Sequence, residues 1–262
     1  MDIDSETFDR ELAVYYDRMI RWDRRMAVEG PLLEALLQRR GARRVLDAAC
    51  GSGVHLEWLA ERGLEAQGSD ASPGMLELAR RRLDRLPPER RPRLTLSTWA
   101  EVAERVGDGF DLVLCLGNSL AYVTDPAALE RSLAGLWSRV GPGGGLVAQY
   151  KNFAMLHARG ERFLPLSSRR EEDGSEMIAL RQYDWLDGGR QVDFLAVILE
   201  RDHPEAPWRM RHWTTRLAAW PPGRVAGALE SLGASVELCG SIGLEPFDPA
   251  ASEDVVVWAT RT

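Results

Sequence analysis

Apolar residues recur along this chain at two different periods, and the change of period divides it. Over residues 1–42 they return every three or four positions: Phe8, Leu12, Tyr15, Tyr16 and Met19, then Leu32, Leu33, Leu36 and Leu37. That spacing predicts helix. Pro31 suits the first turn of a second helix, and Gly41 its stop. From residue 43 onward, short apolar runs alternate with helical stretches. Val45-Leu46, Leu64–Ser69, Leu94–Leu96, Asp111–Leu116 and Leu146–Ala148 read as strands. The segments 54–62, 72–86 and 125–140 between them read as helices, with Ser72-Pro73 and Asp125-Pro126 as their starts. Asp111–Leu116 is almost wholly apolar, as a strand covered on both faces should be. The rhythm breaks over residues 153–217. Met177–Trp185, Arg190–Glu200 and Trp208–Leu217 look like strands, and Asp187-Gly188-Gly189 is a hairpin turn signal. After Pro221-Pro222 the alternation resumes with a helix and two last strands.

This order predicts an α/β fold: a Rossmann-like, doubly wound, mostly parallel sheet of seven strands over residues 43–152 and 218–262. A helical segment (1–42) precedes it, and an antiparallel β region (153–217) is inserted. A ligand of such a sheet sits beyond the carboxyl ends of the strands, near the point where the strand order reverses.

Composition narrows the function. At 262 residues and 45% hydrophobic content the chain can bury a substantial core. A net charge of −7 argues against a general nucleic-acid binder. The acidic, polar opening residues are unlike a signal peptide, and no apolar run is long enough for a membrane span, so a cytoplasmic protein is expected. Cys50, Cys115 and Cys239 are far apart, and no paired Cys or His spacing suggests a metal. Lys151 is the only lysine in the chain.

The candidate chemistry begins at Asp47-Ala48-Ala49-Cys50-Gly51-Ser52-Gly53, which joins the first strand to the first helix of the alternating region. Glycines there let backbone approach a ligand, and the helix N-terminus offers free N–H groups. A dinucleotide fingerprint would place a third glycine where Leu56 stands. Asp70 ends the second strand, where a carboxylate can accept both hydroxyls of a ribose. Together these say adenosine without saying which. Asn118 follows an apolar strand and stands at its carboxyl end, as does Lys151 after the fifth strand.

Val-Leu-Asp-Ala-Ala-Cys-Gly-Ser-Gly (45–53) and Gly-Ser-Asp-Ala-Ser-Pro-Gly-Met-Leu (68–76) resemble the first two motifs of class I S-adenosylmethionine-dependent methyltransferases. Leu-Gly-Asn-Ser-Leu-Ala-Tyr (116–122) and Tyr-Lys-Asn-Phe (150–153) are similar to segments of the glycine and glycine/sarcosine N-methyltransferases. The resemblance implies a cofactor site made by Arg25, Asp47, Ala49, Gly51, Gly53, Asp70, Ala71, Met75, Thr98, Trp99, Leu116 and Gly117. In it Asp70 holds the ribose, Ala71, Met75, Thr98 and Trp99 lie by the adenine, and Arg25 grips the cofactor carboxylate. Asn118 and Tyr16 would orient the nucleophile. Lys151, where the resembled group has an arginine, would bind an acid group of the substrate, with Tyr150 beside it. His212 and Arg216 of the insertion are further candidates over the acceptor.

The expected function is methyl transfer from S-adenosylmethionine to a small-molecule acceptor, an amine, by in-line displacement, with no protein-held metal. An O- or C-methyltransferase of a larger metabolite is the alternative, favoured by a wide pocket lined by Trp185, Trp208 and Trp213. A cofactor-binding domain without turnover, or a nicotinamide oxidoreductase, is the third reading. The oligomeric state is left open.

Overall fold

The computed structural model describes residue 13 and residues 15–261; Phe8 and Leu12 of the expected first helix lie outside them. Residues 15–19 are helical, and after a break at Ile20-Arg21 helix α1 runs Trp22–Arg40. Pro31 lies inside α1 rather than in a first turn. The helix starts nine residues earlier because tertiary contacts hold both sides of the proline. The Glu29 side chain is bound to His55, and Leu33, Leu36 and Leu37 are buried just after. Those contacts offset the roughly 3 kcal/mol that an interior proline costs. Gly41 ends the helix in the left-handed conformation, as expected.

The main sheet contains β1 (Arg44–Asp47), β2 (Glu65–Asp70), β3 (Arg93–Leu96), β4 (Phe110–Cys115), β5 (Val140–Lys151), β10 (Ser235–Cys239) and β11 (Asp254–Thr260). Their order is β10-β11-β5-β4-β1-β2-β3. All neighbours are parallel except β11, which runs antiparallel to both β5 and β10. From β1 the chain winds outward through β2 and β3, then returns to β4 on the other side. The reversal point therefore lies between β1 and β4, with Asp47 paired to Leu114.

Strand alternation sorts the core into two layers. Leu46, Val113, Cys115, Leu146 and Ala148 face α5 (Pro126–Arg139) and α7 (Pro222–Glu230). Val45, Leu112, Leu114 and Val147 face α1, α2 (Val54–Glu61) and α3 (Pro73–Leu83). The short α4 (Val102–Arg105) adds Val102 to the first layer. Ser72 and Asp125 cap α3 and α5, accepting from the N–H groups of Met75 at 3.1 Å and Ala128 at 2.7 Å.

The insertion starts with a helix that the apolar pattern did not predict, α6 (Phe153–Ala158), capped by Asn152. It continues as β6 (Ser167–Arg170), β7 (Glu176–Leu186), β8 (Gln191–Arg201) and β9 (Arg209–Ala218), an antiparallel sheet in that order. The expected strands match β7, β8 and β9; β6, with its Ser-Ser-Arg-Arg sequence, has no apolar signal. The inner face of this sheet carries Met177, Ala179, Ala196, Ile198 and Trp213, packed on Tyr15 and Met19 of the first helix. Farther along, Tyr183, Val192 and Leu217 pack on Phe153, Leu156 and Ala121. The second sheet thus leans on both the N-terminal helix and the strand ends of the first sheet.

Candidate active site

A cavity of about 370 Å³ opens at the carboxyl ends of β1 to β4. Its floor is the turn after β1. Gly53 starts α2 with φ +81, and a Cβ there would stand 3.1 Å from the Cβ of Ala79. Glycine at this position therefore serves the close packing of α2 on α3 rather than lining the cavity. Ala48, Ala49 and Gly51 do line it. Asp70 stands beside them at the end of β2. Its Oδ2 accepts from the Gly51 N–H and its Oδ1 from the Ser72 N–H, both at 2.9 Å. Burial pushes this carboxyl up, and the hydrogen bonds from Ser72, Gly51 and Ala71 hold it down. A carboxylate has about four acceptor sites, so about two remain for a ligand.

One wall is the α3 start with Ala71, Ser72 and Met75, followed by Ser97, Thr98 and Trp99 after β3. The Trp99 indole N–H donates to the Ala48 carbonyl at 2.5 Å, tying the end of β3 across to the end of β1. The other wall is Gly117, Ser119, Tyr122 and Val123 after β4. Gly117 has φ +75, and a Cβ there would sit 3.6 Å from an Arg25 terminal nitrogen. Tyr16 closes the cavity from the N-terminal helix; burial raises its hydroxyl pKa, so it stays protonated.

The first helix is fastened to the floor by one side chain. Asp17 accepts from Ser52 Oγ at 2.5 Å, Trp22 Nε1 at 2.8 Å and Arg82 Nη2 at 2.7 Å. Beneath the floor runs a chain of ionisable groups in which Glu29 and His55, missed in the sequence, join Arg25 to Asp47. Arg25 Nε donates to Glu29 at 2.8 Å, Glu29 contacts His55 Nε2 at 3.0 Å, and His55 Nδ1 lies 3.9 Å from Asp47. Burial pushes Glu29 up, yet its bonds to His55 and Arg25 leave it below the usual range. Burial raises Asp47 to about 6, opposed by His55. Asp47 Oδ2 has no hydrogen-bond partner.

The structure brings together Tyr16, Ala49, Gly51, Asp70, Ala71, Met75, Thr98, Trp99 and Gly117 around this one cavity. Asp47 and Arg25 support it from below and beside. Leu116 is buried behind the wall. Asn118 is drawn to the sheet instead: with φ +69, its Oδ1 accepts from the Lys151 N–H at 2.9 Å. It positions the two strand ends relative to each other.

Four residues expected to bind substrate do not line this cavity. Lys151 Nζ pairs with Asp254 at 2.8 Å, the residue opposite it on β11, so its charge is already met. Tyr150 is a core residue on the α5 and α7 side, 1% exposed. His212 and Arg216 are exposed, on the opposite face of β9 from Trp213 and Leu217. Arg216 is paired there with Asp193. Ser72, Ser97, Ser119, Tyr122, Val123 and Ser132 line the cavity without having been singled out. Of these, Ser72 lies within the 68–76 motif, and Ser119 and Tyr122 within the 116–122 motif; Ser97, Val123 and Ser132 carried no signal.

Comparison with known proteins follows this geometry. Residues 45–144 match the family described as a methyltransferase domain. Glycine/sarcosine N-methyltransferase of Aphanothece halophytica is 32% identical over 145 residues, 55% of this chain and 54% of its own length. Glycine N-methyltransferase of Rattus norvegicus is 36% identical over 139 residues, 49% of this chain and 47% of its own. The chain thus spans about half the length of the curated relatives it matches. A solved amino pentose methyltransferase from Micromonospora echinaspora, with S-adenosylmethionine bound, superposes over 95% of both chains with a TM-score of 0.69 and 26% identity.

Proposed function

We propose that this chain, built around the methyltransferase domain at residues 45–144, transfers a methyl group from S-adenosylmethionine to the amine of a small molecule. The observation that carries the reading is Asp70: a half-buried carboxylate, held by two backbone N–H groups and with acceptor capacity left, at the end of β2 and on the floor of the cavity. The remaining residues fit the cofactor. Met75, Ala71 and Trp99 form a slot for a flat ring, next to the carboxylate that would take the ribose hydroxyls. Arg25 reaches the side-chain-free surface of Gly117, where it would meet the carboxylate of the methionine moiety. Residues 43–152 and 218–262 form this cofactor unit in our reading, and 153–217 the acceptor cover.

S-adenosylmethionine supplies an electrophilic methyl group that an aligned lone pair displaces in line. The protein's share is alignment and exclusion of water, which can supply several kcal/mol of the barrier. Tyr16, kept protonated by burial, is a hydrogen-bond donor at the cavity mouth and not a base. The acceptor amine therefore arrives with its proton already lost to solvent. An acceptor of amino-sugar type is the second reading, favoured by the amino pentose enzyme's match over nearly the whole chain, second sheet included. The larger-metabolite reading loses its support, because the three tryptophans do not share a pocket. Trp213 is buried against Tyr15, Trp185 packs on Phe153 and His157, and Trp208 lies exposed under Arg201.

Calorimetric titration tests the cofactor. S-adenosylhomocysteine should bind and NAD should not. Asp70→Ala should weaken S-adenosylhomocysteine by about 30-fold or more, the loss of two hydrogen bonds to a charged group. Binding of NAD alone, or unchanged affinity in the variant, overturns the assignment. A screen of amines read by S-adenosylhomocysteine release then identifies the acceptor class.

A further inference from the structure

The second sheet has two faces, and its own chain covers the inner one, where Met177, Ala179, Tyr183, Ala196, Ile198 and Trp213 pack on the first helix and on Phe153 and Ala121. Side chains alternate along a strand, so the residues between these stand on the outer face. The register lines them up. Ile178 is opposite Leu199, and Leu199 is opposite Met210. In the next row Leu180 is opposite Val197, and in the row after that Leu195 lies between Gln182 and Thr214. Phe163, bridged to Gln182, extends this face past β7. A sheet with one face in water alternates apolar and polar residues. Here β8 reads Phe194-Leu195-Ala196-Val197-Ile198-Leu199 with no polar break, and β7 reads Met177-Ile178-Ala179-Leu180. Such runs mark strands covered on both sides, as in β4.

The outer residues lack that second cover. Among the described residues, Ile178, Leu180, Leu195, Val197 and Leu199 are half-buried and belong to none of the four apolar clusters. Phe163 and Met210 are 61% and 64% exposed. A contiguous apolar patch of this extent marks an interaction surface. Its ends are polar and paired within the chain. Glu176 holds Arg170 and Arg201 at one end; Asp193 holds Arg216, and Asp184 holds Arg162, at the other. Trp208 lies over the Arg201 guanidinium at the first of these ends. An apolar centre inside a polar rim is the build of a protein–protein interface. Strands of 10 or 11 residues, about 33 Å long and about 4.8 Å apart, make a face on the order of 500 Å² in flat projection, and side-chain relief adds to it. Two such faces together would bury roughly 1,000 Å² or more, which is what a specific contact requires.

We propose that two copies of this chain dimerise by packing the outer faces of their second sheets together about a two-fold axis, as the two layers of a sandwich about 10 Å apart. The rim charges are met within each chain, so the face asks for an apolar partner of matching twist. A second copy supplies one, with apolar centre on apolar centre. Val197, in the middle row of β8, then lies at the heart of the contact. The dimer would bury both sides of the sheet that leans on the cavity wall, and it does not depend on which reaction the cavity performs.

The test is the mass of the full chain in solution. Sedimentation equilibrium of wild type should show a two-chain species that dissociates on dilution. Val197→Arg sets an unpaired charge at the centre of the face on both copies and should weaken the dimer by about 100-fold or more. Met210→Glu does the same nearer the edge. That side chain is largely exposed in the single chain, so this variant keeps its fold even where Val197→Arg does not. Near-ultraviolet circular dichroism of Trp213 against Tyr15, on the covered face, reports whether each variant is folded. The urea midpoint of wild type should rise with protein concentration, and those of the variants should not. A wild type that sediments as one chain at every concentration overturns the proposal. A dimer that both folded variants leave at wild-type strength also overturns it, because the contact then lies on another face.

Discussion

At the scale of single residues, what was legible depended on how far away the partner lies. Asp70, Gly51 and Met75 act within a few residues of their motifs, and local spacing placed them correctly around the cavity. The Lys151 pairing was not legible because its partner Asp254 arrives on β11, 103 positions later and antiparallel. Glu29, His55 and Asp47 come from three elements and meet only under the folded floor. That group makes a pH prediction. An unfolded chain ionises the Asp47 carboxyl near 3.8, the folded chain at about 6. Between those values the folded state keeps a proton the unfolded state has lost, so this group's contribution to stability falls as pH rises from about 4 to about 6 and stays low above. The full swing is on the order of 3 kcal/mol. Asp47→Asn, having no proton to lose, should be relatively more stable than wild type at pH 7 and lose that advantage by pH 4. Urea midpoints of both proteins across this range would show it, and parallel curves would refute it.

At the scale of elements, the periodicities worked wherever burial is one-sided. The break in rhythm and the Asp187-Gly188-Gly189 turn placed β7, β8 and β9 within a residue or two, and the alternation in β9 shows which of its side chains face inward. Trp213 and Leu217 share a parity and face inward; His212 and Arg216 share the other and face out. β6 and α6 were missed because four polar residues on an edge and a six-residue helix carry too little apolar pattern to register. The β8–β9 pair depends on Trp213, 1% exposed and 5.6 Å from the Tyr15 ring. Truncating it to alanine should cost about 3–5 kcal/mol. Denaturant unfolding would measure the loss, and hydrogen exchange should rise first in β8, β9 and residues 15–19. A loss below about 1 kcal/mol would mean the second sheet holds to the N-terminal helix by other contacts.

At the scale of the whole molecule, a mostly parallel, doubly wound sheet followed from the rhythm of the sequence, and with it the end of the sheet at which the cavity lies. What the rhythm does not carry is how the cavity is covered. Its walls belong to one continuous sheet, but Tyr16 belongs to a helix held to that sheet by Asp17, with donors from Ser52, Trp22 and Arg82. The consequence is kinetic. A ligand seated between Tyr16 and Asp70 would have that three-donor contact beside its way out, so Asp17, which does not itself line the cavity, is expected to affect how long such a ligand stays. Asp17→Asn should shorten the residence time of S-adenosylhomocysteine while leaving its association rate near wild type, the pattern by which most contact losses act. Stopped-flow displacement measures both rates, and a slowed association with unchanged release would place the exit elsewhere. Release of a ligand from this cavity would then be timed by the opening of one acidic latch.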